Sequence, residues 1–353
     1  MNQISDIDFS TWYPFREGTA TYLFSIGSWD FPIYTFTMLV GILTAIVTIA
    51  FFWYRQRYAM EELAVLVLIT IPMSIIGARL WYIFERLIYN SANPFPNSAW
   101  YAVWEGGLSI QGGVILPTIA NLIYIFFKRN KIDYRLAISF ILPAVLIGQA
   151  IGRFGNFANH EVYGRIDVDG SHTLIWGETF ARQMYIYNAT DPISSAALRI
   201  PLFLYEAIFS LAGYVVLVWI FNFFGLFRPG TVGGMYLFYY GVVRFIMEPL
   251  REESYDYYTI IAYVFVFFGA LMVWYFEIFS THRYVRVRLK YRFDYALVYR
   301  SSLSWMGPLV PKVKIPLITL ENTLEGAKGS EVATTNEEPQ ISRDRLRKRR
   351  PER

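Results

Sequence analysis

Residues 31–54 read FPIYTFTMLVGILTAIVTIAFFWY, 24 consecutive positions without an Asp, Glu, Lys or Arg. An α-helix rises 1.5 Å per residue, so about 20 apolar residues cross the ~30 Å hydrocarbon core of a bilayer. Three more uninterrupted runs follow at 106–127, 207–227 and 257–276, of 22, 21 and 20 residues. Three further apolar stretches are each interrupted by arginine. Residues 63–78 end at Arg79 and resume to Tyr89 with Glu85 and Arg86 inside, 136–152 end at Arg153, and 229–243 end at Arg244. In hydrocarbon each backbone N–H and C=O must pair within the protein, which selects helices; a closed barrel would need short alternating strands, and none are evident. The pattern predicts an all-α integral membrane protein. Its core is a bundle of seven transmembrane helices over about 32–54, 63–88, 107–127, 136–159, 200–224, 231–250 and 257–279.

Composition agrees. Apolar residues make up 55% of the 353 and charged residues 17%, too little polar surface for a soluble globule of this size. A soluble enzyme, a secreted domain and a disordered chain are excluded. Cysteine is absent, which removes disulfides, zinc-thiolate sites and a cysteine nucleophile. Orientation follows from the basic residues of the connections. One side would carry 13: Arg55, Arg57, Lys128, Arg129, Lys131, Arg135, Arg228, Arg283, Arg286, Arg288, Lys290, Arg292 and Arg300. The other would carry five: Arg16, Arg165, Arg182, Arg199 and Arg251. The first set is expected in the cytoplasm, with the N-terminus outside and the C-terminus inside. Residues 1–31 are polar and slightly acidic, without the basic start of a cleaved signal peptide, and are expected as an extracytoplasmic segment. Residues 32–280 form the membrane domain, with a small extracytoplasmic insertion or lid at 160–199 between spans four and five. Residues 281–353 are expected as a basic, largely disordered cytoplasmic tail, which ends in RDRLRKRRPER and could touch anionic lipid.

The interrupted spans share a geometry. Spans two, four and six run in the same direction, and their arginines fall 15 to 17 residues from the inner edge, roughly 22–26 Å up the core. Arg79, Arg153 and Arg244 therefore lie at similar depth, where Gln111 of span three and Glu206 of span five meet them. A single such arginine reads as a snorkelling side chain. Three, on helix faces that also carry polar side chains, read as a buried anion site. Tyr240, Arg244 and Glu248 fall at i, i+4 and i+8, and Gln149, Arg153, Asn156 and His160 at i, i+4, i+7 and i+11, each set on one helix face. Gly148, Gly152 and Gly155 on the same span allow close helix approach. Guanidinium forks suit phosphate, which points to a phospholipid headgroup or a small anion. On these grounds an enzyme, an anion or lipid transporter or channel, and a structural protein remain open.

Several segments resemble the prolipoprotein diacylglyceryl transferases. They are GARLWY (77–82), WEGGLSIQGG (104–113), GRFGNFANHEVYGR (152–165), P-x-x-LYE (201–206) and YGVVRFIMEPLR (240–251), in family order. The resemblance covers about residues 30–280 and implies transfer of the diacylglyceryl group of phosphatidylglycerol to the lipobox cysteine of an exported prolipoprotein, with its signal peptide, at the bacterial plasma membrane. It implies that Arg153 binds the lipid phosphate among Asn156, Glu161 and Gly164. Arg244 would be the second essential arginine, flanked by Tyr240 and Glu248, and Tyr34 and Arg79 match further family positions. No cofactor and no metal are expected. Where many relatives have histidine, this chain has Gln111, and near P-x-x-LYE it has Ile200. A histidine base is excluded at both, leaving thiol activation to the field of Arg153 and Arg244, with Gln111 orienting and His160 or Glu161 as alternative proton relays.

Overall fold

The apolar runs fold as long helices. The computed structural model describes residues 7–27, 29–89, 95, 99–103, 107–129, 131–252, 256–278, 284–288 and 291–297. Helix α1 spans Ile33–Arg55, α2 Met60–Tyr89, α3 Ile110–Phe127 and α4 Tyr134–Ala158. A short α5 (Glu178–Gln183) precedes α6 (Leu202–Tyr214), which continues as π-helix over Val215–Asn222. Helices α7 (Thr231–Met247) and α8 (Asp256–Glu277) complete the bundle. Each expected span coincides with a helix. Five are long and apolar enough to cross a membrane among the described residues: Ile33–Arg55, Met60–Ile88, Tyr134–Ala158, Leu202–Asn222 and Tyr258–Glu277. The apolar stretch Gln111–Phe127 is shorter, and α7 has 17 residues.

Glycines set how closely the helices pass. A Cβ on Gly41 of α1 would lie 3.0 Å from the carbonyl oxygen of Gly148 on α4. Higher up, a Cβ on Gly155 would lie 2.5 Å from Thr37 Oγ1 and 3.0 Å from the Tyr34 ring. The small-residue stripe of the fourth span is thus the seat of α1. Helices α2 and α3 cross at Gly77 and Gly112, where either Cβ would overlap the other's carbonyl oxygen, and Asn121 Nδ2 donates to Thr70 Oγ1 at 2.7 Å. Helix α4 is central, packing on α1, α6 and α7, while α8 packs along α7. We call the end at which α1 begins the upper end. The main apolar core lies toward the lower one, around Phe52, Trp53, Phe140, Leu217, Val218 and Val232.

The fold is not wholly helical. At the upper end, β1 (Phe15–Arg16) pairs parallel with β4 (Tyr185–Tyr187), which pairs antiparallel with β5 (Ala197–Leu198). The N-terminal segment and the insertion therefore share one sheet, with Trp12, Ala181 and Leu198 packed beneath it. Between these strands in sequence, β2 (Tyr22–Ile26) and β3 (Trp29–Pro32) form a hairpin leading into α1. At the lower end, β6 (Tyr284–Arg288) and β7 (Phe293–Leu297) form another. That hairpin falls inside the 281–353 stretch expected as a basic, largely disordered tail. Tyr284 is 5% exposed, and its hydroxyl donates to Asp133 Oδ2 at 2.5 Å. The remainder of the expected tail, residues 298–353, lies outside the described residues.

Candidate active site

Three helices converge on one cleft near the upper end. Helix α4 contributes Leu146, Gln149 and Arg153, α6 contributes Glu206 and Ser210, and α7 contributes Tyr239, Tyr240, Val243 and Arg244. The cleft holds ≈ 370 Å³ of empty space, counting its open mouth. Its hub is Glu206, 5% exposed. Arg153 Nε lies 2.7 Å from Glu206 Oε2, Arg251 Nη2 donates to Oε1 at 2.7 Å, and Arg244 Nη1 stands 3.8 Å from Oε1. Glu248, 4% exposed, stands 3.1 Å from Arg244 Nη2 and 3.7 Å from Arg251 Nε as an ion pair with each. Arg244 also lies over the Tyr258 ring, 4.8 Å from its centroid, and Arg153 Nη1 reaches Asn156 Oδ1 at 3.5 Å. Buried charges persist only when paired. Here the pairing leaves an excess, because three guanidinium groups face two carboxylates.

On α7 Tyr240 and Arg244 line the cleft, and Glu248, just beyond the end of the helix, pairs with Arg244. Tyr34 packs on α4 at Gly155, two residues beyond Arg153 and on the face of the helix turned to α1. Gly164 sits between two segments, with its N–H donating to Ile200 O at 2.9 Å and its backbone bridged to Arg251. A Cβ there would lie 2.6 Å from Leu250 O and 2.8 Å from Ile200 Cβ, so the glycine lets the stretch carrying Arg251 lie against the start of α6. Glu161 follows the end of α4, with its N–H donating to Asn156 O at 2.9 Å and its carboxylate accepting from Asn159 Nδ2 at 3.4 Å. Burial raises its pKa above the usual carboxylate range. His160 is 7% exposed and stacks on Phe15 with ring centroids 4.2 Å apart. Burial lowers its pKa, against a hydrogen bond to the Gln183 backbone.

Of the expected residues Arg153, Tyr240 and Arg244 line this cleft, whereas Tyr34, Asn156, Glu161, Gly164, Glu248, Arg79 and Gln111 do not, and the last two belong to another helix pair. Arg79 donates to the carbonyls of Trp100 (2.7 Å), Ala99 (2.8 Å) and Gly107 (3.1 Å) and packs on Tyr82, so it clamps the segment leading into α3. Gln111 Oε1 accepts from Ser109 Oγ at 2.5 Å, and Ser109 Oγ lies 3.5 Å from Glu85, whose carboxylate takes the Trp81 indole N–H at 2.8 Å. These residues form a second polar cluster, on the α2–α3 pair. Sequence reasoning placed Glu206 only as a neighbour and counted Arg251 only as a loop cation. The spacing of Glu248 and Arg251 across the Pro249 turn was the available signal for the second.

The family model for prolipoprotein diacylglyceryl transferases matches residues 21–275. A phosphatidylglycerol–prolipoprotein diacylglyceryl transferase of Mycoplasmopsis pulmonis is 56% identical over 288 residues, covering 81% of this chain and 88% of that one. Proteins of the same name from Streptococcus equi subsp. zooepidemicus and Streptococcus agalactiae are 33% and 34% identical over 233 and 202 residues. Those matches cover 65% and 57% of this chain and 83% and 72% of the relatives.

Proposed function

Because the chain belongs to the prolipoprotein diacylglyceryl transferase family, we propose that it moves the diacylglyceryl group of phosphatidylglycerol onto the lipobox cysteine thiol of an exported prolipoprotein, forming a thioether and releasing glycerol phosphate. It is a multi-pass membrane transferase. The relatives are transferases by name, and nothing favours the transporter reading left open by the residues alone. In the proposed placement the seven helices all cross the bacterial plasma membrane, the upper end faces outward, and the cleft opens toward the outer leaflet. The basic connections at the lower end support this orientation.

The observation that carries the chemistry is the convergence of Arg153 and Arg244, from separate helices, on one buried hub within a cleft. In the reaction the thiolate sulfur attacks the glyceryl carbon, the carbon–oxygen bond to phosphorus breaks, and negative charge grows on the departing phosphate. Guanidinium donors aimed there stabilise the transition state more than the bound lipid, and each such donor is typically worth a few kcal/mol. Asn156 accepts from Arg153 and fixes its fork, while Tyr240 and Tyr34 border the headgroup. Glutamine cannot take a proton near neutral pH, and Gln111 is bonded to Ser109 on the α2–α3 pair, so it is not the base. A thiol of pKa about 8.5 is already partly ionised near neutral pH and more so beside cations. Glu161, with its raised pKa, is the proposed proton relay.

The test is transfer from labelled phosphatidylglycerol to a cysteine peptide of lipobox type by purified protein. Thioether product is expected from the wild type, with a loss of at least about 100-fold in Arg153→Ala. Uptake of the lipid into vesicles without product would overturn the assignment.

A further inference from the structure

The arginine cluster carries an unusual charge count. Arg153, Arg244 and Arg251 surround Glu206 and Glu248, three positive groups against two negative, formally +1. The neighbouring Arg199 and Glu252 pair with each other at 2.8 Å and add nothing to the sum. Both carboxylates are buried, and Glu206 touches all three arginines from a position that itself lines the cleft. A resident anion therefore already occupies the centre of a site that the reaction needs for a phosphate.

We propose that Glu206, supported by Glu248, sets the valence of this site, so that the enzyme holds a singly charged phosphodiester and expels the phosphomonoester it makes. This rests on the transferase reading above. The phosphodiester of the lipid carries one negative charge and brings the cluster to zero. When sulfur bonds to the glyceryl carbon and the carbon–oxygen bond breaks, the electron pair of that bond stays on the phosphate oxygen. The proton lost by the thiol leaves by the relay or solvent. The product is a phosphomonoester with a charge near −2 at neutral pH, since its second pKa is about 6. The occupied cluster then stands near −1, around two buried carboxylates, where an uncompensated charge is costly. Release of glycerol phosphate is driven by the carboxylates already in place. In this account Glu206 is a positioning and valence-setting residue: it holds Arg153 and Arg244 at the cleft, with Arg251 paired to it from beside them, and denies the cluster a second negative charge.

The experiment measures direct binding of glycerol phosphate to the full-length protein in detergent by calorimetry, alongside steady-state transfer. Glu206→Gln and, separately, Glu248→Gln raise the cluster to +2. Each is expected to bind glycerol phosphate at least about tenfold more tightly than wild type, given the strength of a unit charge at these distances. Each should also lower kcat more than it changes KM for phosphatidylglycerol. Glu206→Asp keeps the charge and should stay within about threefold of wild type in glycerol phosphate affinity. Equal or weaker glycerol phosphate binding by both glutamine variants overturns the proposal, even with transfer intact. Failure of the wild type to transfer at all would instead defeat the transferase reading, and the binding comparison would still decide the charge argument.

Discussion

Arg153 meets Glu206 through Nε and Asn156 through Nη1, which leaves the outer face of its fork available to an anion in the cleft. Lysine keeps the charge at that position but offers a point donor on a flexible stem in place of a planar pair. Arg153→Lys is therefore expected to lower kcat/KM for transfer by about 100-fold, the usual scale for losing one well-aimed donor to a developing oxyanion. Full activity in that variant would rule out a bidentate contact. His160 makes a contrasting case. It is buried, adopts a positive φ of 51° and stacks on Phe15, contacts that fit a joint between α4 and the N-terminal strand. Its folded pKa lies below the unfolded value of about 6.5. Between those two values the unfolded chain binds more protons, so the associated stability is complete above about pH 6.5 and is lost as pH falls through the window. His160→Gln should flatten the decline in thermal midpoint between about pH 7 and pH 5 and leave turnover at pH 7 within about threefold. A large loss of turnover with an unchanged pH profile would make the imidazole a proton carrier instead.

At the scale of elements, α1 and α4 are held by backbone proximity, since Gly41 and Gly148 face each other with no side chain between them. Gly41→Leu must separate the two helices at the level of Gly148, and overpacking of a tight contact costs roughly 1–3 kcal/mol. The thermal midpoint should drop, and because Tyr34 rides on the same helix above the contact, KM for phosphatidylglycerol should rise as well. An unchanged midpoint would show that α1 is free to shift. That contact was legible from the spacing of Gly148, Gly152 and Gly155, just as the helices were legible from charge-free runs and the arginine cleft from charges at matching depth. Other features left no periodic trace. The π-helical turns over Val215–Asn222 follow a sequence that reads as ordinary apolar helix. The pairing of Phe15–Arg16 with Tyr185–Tyr187 joins strands of two and three residues across 170 positions of chain, too short for an alternation to show. Depth and the motifs GARLWY and WEGGLSIQGG place Arg79 and Gln111 at the site, and neither says which helix pair a side chain faces. Both turned toward the α2–α3 pair, where backbone carbonyls and Ser109 satisfy them.

Across the whole molecule the lower end is tied together by the hairpin that follows α8. Asp133 caps α4 by accepting from the Arg135 N–H at 3.0 Å, and both residues are almost fully buried. From the hairpin the Tyr284 hydroxyl donates to Asp133 Oδ2 and accepts from Arg135 Nη1 at 3.2 Å, beside Tyr58, whose hydroxyl takes the Asp133 N–H, and Tyr134, whose hydroxyl takes Arg135 Nε. Alongside, the backbone of Phe293 lies against Gly225, whose φ of 62° and lack of a Cβ make the approach possible at the turn between α6 and α7. Strand β6 thus completes a charged pair at the root of the central helix, although its sequence, YVRVR, reads as the start of a basic tail. Removing the hydroxyl in Tyr284→Phe preserves the ring while leaving a buried carboxylate and a buried guanidinium each short of a partner. An orphaned buried group costs about 1–3 kcal/mol, and more when charged. The thermal midpoint in detergent should fall by several degrees, whereas Tyr13→Phe, at a ring 81% exposed, should leave it unchanged. The cleft lies at the opposite end of α4, so kcat measured well below the midpoint should match wild type. A midpoint equal to that of Tyr13→Phe would mean that the hairpin rests on the bundle without bracing it, and a fall in kcat at low temperature would mean that strain at the foot of α4 reaches Arg153 about five turns above.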